Sequence, residues 1–167
     1  MQRHFAELAS YNRWANRRLF GDASALPADA PYRDVGVYFG SLFATLEHIL
    51  RVDRAWVHLL EGGAIADLPP MPDVGDLARL RNARELQDAL LIERVGSIDA
   101  AWLETPFEFR SLLGSWRGMT YHGTRASTLT HLFNHQTHHR GQAHSALTLL
   151  GVRPSALDIL VKGMLGE

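Results

Sequence analysis

The stretch TLTHLFNHQTHHRGQAHSALTLL, residues 128–150, decides the fold that we expect for this chain. Its apolar side chains recur at helical spacing and form one stripe, made of Leu129, Leu132, Ala143, Leu147 and Leu150. Gly151 then provides a stop signal, and Pro154 follows within a few residues. The stretch therefore predicts one long amphipathic helix.

Histidines are unusually dense in this helix, which contains His131, His135, His138, His139 and His144. His135 and His139 are four residues apart, so their rings lie on one side of the helix, on the flank of the leucine stripe. This spacing lets two imidazoles reach one cation, as in helical zinc motifs. The simpler alternatives are hydrogen-bonded core histidines or a solvated face. Burying so many polar rings without a shared partner is costly, which favours a metal or a polar active site.

Composition places the chain among ordinary soluble proteins. Its 167 residues are 46% hydrophobic and 21% charged, which predicts a single domain over residues 1–167 with a sizeable core. The net charge of −1 gives no indication of a nucleic-acid or membrane surface. The chain has no cysteine, so thiolate metal sites and a cysteine nucleophile are excluded. Neither a signal peptide nor a bilayer-spanning stretch is found, and we expect a cytoplasmic protein.

Three further amphipathic helices are predicted upstream, at residues 3–25, 40–61 and 77–96. Ser41 and Asp76 are the expected N-caps of the second and third helices. The many Arg and Glu residues of the third helix predict a solvated face. Asn12 and Asn16 lie one turn apart on the first helix. We expect them to be either structural or solvent-facing, and the alternative is that they line a pocket.

In the segment PFEFRSLLGSWRGMTY, residues 106–121, apolar and polar residues alternate in short runs on either side of Gly114 and Ser115. This pattern predicts a small β-hairpin before the last long helix. A short helix is expected at residues 155–165. Four substantial helices in one domain predict an all-α, four-helix bundle. Because bundles place metal sites between facing helices, His48 in the second helix can join the pair His135 and His139.

Several segments resemble one known family. HLFNHQTHHRGQ at residues 131–142 is similar to the signature of the DinB family, also called the DinB/YfiT-like metalloenzymes. YNRWANRRLF at 11–20, TLEHILRVDRAW at 45–56 and LLGVRPSALDIL at 149–160 resemble its other recurrent segments, in the same order. The combination of HxxxHRGQ with the upstream NRWAN and HxxxxDxxW segments is far more specific than a lone HxxxH.

The resemblance implies a bundle of up-down-down-up topology that is often dimeric. It also implies a divalent metal ion, usually zinc or nickel, held by three histidines that match His48, His135 and His139. Some relatives are thiol transferases that use bacillithiol, mycothiol or glutathione, and others resemble mycothiol-dependent maleylpyruvate isomerases. The family thus predicts the metal better than the substrate.

Three histidines leave at least one coordination position open, as in catalytic zinc sites. Such a site could activate water for hydrolysis, or it could bind a low-molecular-weight thiol. Because the chain has no cysteine, that thiol would have to come from outside the protein. A metal-dependent enzyme acting on a small molecule, with thiol transfer ahead of hydrolysis, is therefore one hypothesis. The alternative is a non-catalytic, damage-inducible metal-binding protein of the stress response.

Other polar residues of the stretch are candidates for contacts with the ligands or the substrate: His131, Arg140 and Gln142. Arg140 could instead form only an ion pair, and Gln142 could hold a backbone group. His138 points nearly the same way as His135 and is the candidate proton acceptor. Packing at the helix edge is the alternative for His138. We also expect a homodimer with two-fold symmetry.

Overall fold

The structure is a computed structural model that describes residues 1–111 and 117–167. Its elements are, in chain order, α1 (Gln2–Ser24), α2 (Leu42–Leu60), α3 (Leu77–Ser97), α4 (Ala100–Glu104), β1 (Pro106–Arg110), β2 (Thr120–Thr124), α5 (Arg125–Leu149) and α6 (Ile159–Met164). The four long helices α1, α2, α3 and α5 pack together as a bundle. The predicted all-α bundle is confirmed. Over the described ranges, no helix has the length and apolar character needed to cross a bilayer.

Side-chain contacts fix the direction of each long helix. Gln2 bonds to the carbonyl of Gly96 while Arg17 pairs with Glu85, so α1 and α3 are antiparallel. His48 contacts His135 and Trp56 contacts His131, so α2 and α5 are antiparallel. Phe5 contacts Phe133 and Asn12 contacts Arg140, so α1 and α5 are parallel. With α1 taken as up, α2 and α3 run down and α5 runs up. The up-down-down-up topology is therefore confirmed.

Helix ends follow the predicted capping signals. The Ser41 side chain accepts a hydrogen bond from the backbone N–H of Ala44 at 3.1 Å, and Asp76 accepts one from Arg79 at 2.8 Å. Each bond satisfies a backbone donor that the first turn of a helix leaves without a partner. After α5, Gly151 adopts a φ of +86°, a left-handed conformation in which a glycine avoids the steric cost of a side chain.

The β-hairpin that the alternating pattern predicts is also present. β1 pairs with β2 in antiparallel register, from Pro106 opposite Thr124 to Arg110 opposite Thr120. The predicted turn at Gly114 and Ser115 lies outside the described residues. The short helix α4, which the sequence analysis did not predict, precedes the hairpin, and Asp99 caps it by accepting from the N–H of Trp102 at 2.7 Å.

The prediction of a last helix at residues 155–165 was wrong in its start, because α6 begins only at Ile159. The preceding residues are held by side chains of α1. The backbone N–H and hydroxyl of Ser155 donate to Asp22, and the Tyr11 hydroxyl donates to the carbonyl of Leu157 at 2.7 Å. An earlier helical turn would need the carbonyl of Leu157 for its own hydrogen bond, and Tyr11 occupies that carbonyl.

Two apolar clusters fill the bundle, one toward each end. The first includes Leu19, Leu46, Leu50, Leu80 and Leu147, and the second includes Phe5, Val57, Leu91, Leu129 and Leu132. In each long helix, buried polar residues lie between its members of the two clusters. A buried polar layer therefore crosses the middle of the bundle.

Arg84 lies at the centre of this layer and is only 2% exposed. Its Nη1 donates to Asp53, and its Nη2 lies 2.9 Å from Oδ1 of Asp88. Burial raises the pKa of the Asp53 carboxyl, and the charge of Arg84 opposes this shift. The prediction of a solvated face for the Arg and Glu residues of α3 was therefore wrong for Arg84, because ion pairs with Asp53 and Asp88 stabilise its charge inside the bundle.

Asn12 and Asn16 belong to the same layer. Both donate to Asp88, Asn12 at 2.9 Å and Asn16 at 3.1 Å to its nearer oxygen. Arg140 donates to Asn12 and, at 3.4 Å, to Gln136. The solvent-facing alternative for the two asparagines was wrong, since they are 0% and 2% exposed. With two arginines and two carboxylates, the layer is neutral and links all four long helices.

Candidate metal centre

The antiparallel packing of α2 and α5 brings three histidines together. His48 lies in the middle of α2, and His135 and His139 project toward it from successive turns of α5. One possible ligand atom of each ring lies within 4.8 Å of the others. His139 is buried, whereas His48 and His135 remain partly exposed. The three side chains thus converge between α2 and α5, where two of the rings are partly exposed to solvent.

The spacing of the rings fits a divalent metal ion. Nε2 of His48 and Nε2 of His135 lie 3.3 Å apart. Two nitrogens at zinc–histidine bond lengths in a tetrahedral arrangement are about 3.3 Å apart, so this separation is the one that a shared ion requires. Nδ1 of His135 is buried and has no hydrogen-bond partner among the described residues. With Nε2 as the ligand atom, the neutral His135 ring carries its proton on Nδ1, and no described residue accepts that proton.

Gln142 orients the third ring. Nδ1–H of His139 donates to Oε1 of Gln142 at 2.8 Å, which leaves Nε2 of His139 as the nitrogen with a free lone pair. The amide Nε2 of Gln142 in turn donates to Nε2 of His138 at 3.3 Å. One amide therefore joins His138 to the predicted ligand His139.

The three rings are held in the form that binds metals. Burial, reinforced by the charge of His139, lowers the pKa of His48 to about 4. Burial and the neighbouring histidines lower the pKa of His135 to about 3. Burial also lowers the pKa of His139. The site is therefore a set of neutral imidazoles at pH 7, and neutral imidazole is the ligand form of histidine.

An aromatic side chain that the sequence analysis missed covers one side of the site. Phe39 stacks on His48 with ring centroids 4.1 Å apart, and it lies 5.4 Å from His139. A tight loop positions it, in which Gly40 donates to the carbonyl of Val37 at 2.7 Å and adopts a φ of +79°. Because loop residues follow no periodic pattern, the only signal for this residue was an aromatic side chain next to a glycine.

The other predicted site residues divide into two groups. The ring of His131 lies 6.0 Å from that of His135, and the exposed His138 lies 4.7 Å from His139. These two residues and Gln142 therefore border the three histidines. The second group, Asn12, Asn16 and Arg140, lies in the polar layer, and within the described chain no hydrogen bond or ring contact joins it to the three histidines.

Comparison with known proteins agrees with this architecture. A family model described as "DinB family" matches residues 1–164. Protein DinB of Bacillus subtilis (strain 168) is 23% identical over 155 residues, which cover 91% of this chain and 89% of that protein. No solved structure matches the chain. Because the family model spans nearly the whole length of this chain, the chain belongs to the DinB family.

Proposed function

We propose that this protein is a metal-dependent enzyme that transfers a group between a low-molecular-weight thiol and a small electrophilic substrate. The observation that carries the proposal is a neutral three-histidine site at which two of the rings, His48 and His135, are partly exposed. Three protein ligands leave a position for a non-protein group, and partial exposure lets that group enter from solvent. The chain has no cysteine, so the reacting thiol must be external.

Zinc or nickel suits this donor set, because imidazole nitrogen is a good ligand for both ions. His48, His135 and His139 would hold the ion. Bound there, it would supply Lewis acidity, which lowers the pKa of a thiol or a water molecule. Hydrolysis is therefore the second candidate reaction at the same residues.

The surrounding side chains have separate tasks in this proposal. Gln142 fixes the ring of His139 through the 2.8 Å hydrogen bond to Nδ1. Phe39 packs on His48 and shields that side of the ring from water. His138 is exposed beside His139, and its Nε2 receives the proton of the incoming thiol in place of the hydrogen bond from Gln142.

The non-catalytic alternative predicts a different environment. A metal that only stabilises the fold is normally closed by four protein ligands. Within the described residues, the cluster has three members, and two of them, His48 and His135, are partly exposed. These features favour catalysis over a purely structural or storage role.

The test is a thiol screen on the metal-loaded protein. Bacillithiol, mycothiol and glutathione are each incubated with 1-chloro-2,4-dinitrobenzene, and thioether formation is followed by absorbance. We expect one thiol to give a rate above the uncatalysed reaction, and this rate should disappear in His139→Ala. His144→Ala is the matched control, because His144 lies on the same helix outside the cluster and its loss should leave the rate unchanged.

Two results would contradict thiol transfer. Cleavage of 4-nitrophenyl acetate without any thiol, lost in His139→Ala, would assign the site to hydrolysis. Absence of both reactions in fully metal-loaded protein would support the non-catalytic role.

A further inference from the structure

A cavity of about 650 Å³ lies between the hairpin and the helices α2 and α5. Its walls include Trp56, Phe109, Tyr121, Thr130, His131 and Asn134. His131 and Asn134 precede the predicted metal ligand His135 by four residues and one residue on α5, so the cavity begins one helical turn from the candidate metal centre. Its volume is in the range of pockets that bind small molecules.

The cavity walls are aromatic on one side. Trp56 of α2 lines the cavity, and its ring lies 5.1 Å from that of Phe109 and 5.0 Å from that of His131. Tyr121 of the second strand also lines the cavity. Aromatic rings arranged in this way favour a flat ring as the bound group, through stacked or edge-to-face contacts.

The described lining contains no aspartate, glutamate, lysine or arginine. A charged ligand would therefore lose its hydration on entering without gaining an ion pair. Moving a charge out of water is costly unless an opposite charge compensates it. The cavity consequently selects against charged molecules.

Most hydroxyl groups of the lining are already hydrogen-bonded within the protein. The Tyr121 hydroxyl lies 2.7 Å from Oγ of Ser127, and Oγ1 of Thr130 donates to the carbonyl of Ala126 at 3.0 Å. Three polar side chains of the lining differ. Within the described part of the chain, the Thr120 hydroxyl, the His131 ring and the Asn134 amide have no hydrogen-bond partner, and the last two lie on α5. The His131 ring and the Asn134 amide are three residues apart on α5. They remain available to a ligand at the end of the cavity that is nearest the candidate metal centre.

We propose that this cavity binds an uncharged aromatic small molecule, with its ring against Trp56 and its polar group toward His131 and Asn134. Such a molecule would be the second substrate beside the thiol. That role rests on the proposed function, whereas binding itself does not require any turnover. A binding experiment therefore distinguishes failure of this proposal from failure of the thiol-transfer proposal.

The experiment compares two fluorescent probes that share one ring system. N-phenyl-1-naphthylamine is uncharged and has one N–H group, whereas 8-anilinonaphthalene-1-sulfonate adds a negative charge. Both are titrated into the full-length protein, with and without a chelator. We expect the uncharged probe to bind, quench tryptophan emission and remain bound after chelation. The sulfonate should bind at least about tenfold more weakly, because it brings an uncompensated charge into the cavity.

Substitutions show whether the probe occupies this cavity. Thr130→Trp fills the cavity and should lower its affinity for the uncharged probe at least about tenfold. Thr148→Trp is the matched control, because Thr148 is also an exposed threonine of α5 whose hydroxyl bonds to the carbonyl four residues earlier. It should bind the probe like the wild type. Equal binding by Thr130→Trp, equal affinity for the sulfonate, or no binding by the wild type would each overturn the proposal.

Discussion

Nε2 of His48 and Nε2 of His135 face each other at 3.3 Å, although the two residues are 87 positions apart in the chain. The antiparallel packing of α2 and α5 produces this approach. Two neutral imidazoles can share one hydrogen bond in such an arrangement, but a cation between them satisfies both lone pairs. The geometry therefore makes the metal site the first property to test.

We expect about one divalent ion per chain, held by the three histidines. His48→Ala and His139→Ala should each lose most of the metal, because two remaining imidazoles bind an ion far more weakly than three. Elemental analysis of the purified variants measures this directly. His144→Ala should keep the wild-type content, since His144 lies outside the cluster. Full occupancy in both triad variants would show that other residues bind the ion.

The sequence predicted a large part of this site. The spacing of His135 and His139 on a periodic helix placed two rings together, and the bundle architecture added His48. Phe39 could not be predicted, because its contact with His48 depends on the path of an irregular loop. The role of Gln142 toward His139 was open until side-chain positions were known.

Metal binding should persist to a lower pH than an ordinary histidine site allows. An unperturbed histidine has a pKa of about 6.5. Burial lowers the pKa of His48 to about 4 and that of His135 to about 3, so protons compete with the metal only in more acidic solution. Dialysis at pH 7, 6, 5 and 4, followed by elemental analysis, should show most of the metal retained at pH 5. Release centred near pH 6.5 would contradict this prediction.

The same pKa shifts predict how the metal-free protein responds to acid. Between about pH 6.5 and 4 the unfolded chain binds protons at His48 and His135 that the folded chain does not bind. The free energy of unfolding should therefore fall as the pH falls through this interval. Thermal midpoints of chelator-treated protein provide the measurement, and the triad variant His135→Ala should show a smaller pH dependence.

The buried polar layer should be a major contributor to stability. Arg84→Met leaves Asp53 and Asp88 buried without their cation, and breaking a buried pair in this way typically costs about 3–5 kcal/mol. Urea unfolding measures the change. Arg17→Met removes the exposed pair with Glu85 and should cost less than about 1 kcal/mol. Similar decreases in the free energy of unfolding of the two variants would show that the buried ion pairs stabilise the protein no more than the exposed pair does.

This layer also explains where the sequence analysis failed. Charged residues at helical spacing on α3 resemble a solvated face, and no periodic pattern separates the buried Arg84 from its partly exposed neighbour Glu85. Their difference arises from partners on other helices, Asp53 for the first and Arg17 for the second. Such pairings depend on how the helices are rotated in the bundle. Helical periodicity within one segment does not determine that rotation.

We predict that the protein is a homodimer with two-fold symmetry. Large apolar side chains of α6 are exposed on the single chain, among them Leu160 at 72% and Met164 at 81%, and association would reduce such exposure. Multi-angle light scattering at micromolar concentration should give twice the mass of one chain. A monomer mass under these conditions would contradict the prediction.

The last prediction concerns His138, which lies beside the site without belonging to the three convergent histidines. Its ring is 4.7 Å from that of His139, and Gln142 donates to its Nε2. If His138 accepts a proton during the reaction, His138→Gln should keep the metal and the thermal midpoint but lower turnover by about 10²-fold or more, the usual contribution of a general base. Metal content, midpoint and rate must be measured on one preparation with the thiol and electrophile found in the screen. Unchanged turnover with unchanged metal would remove His138 from the mechanism, and loss of metal would show that it acts as a ligand.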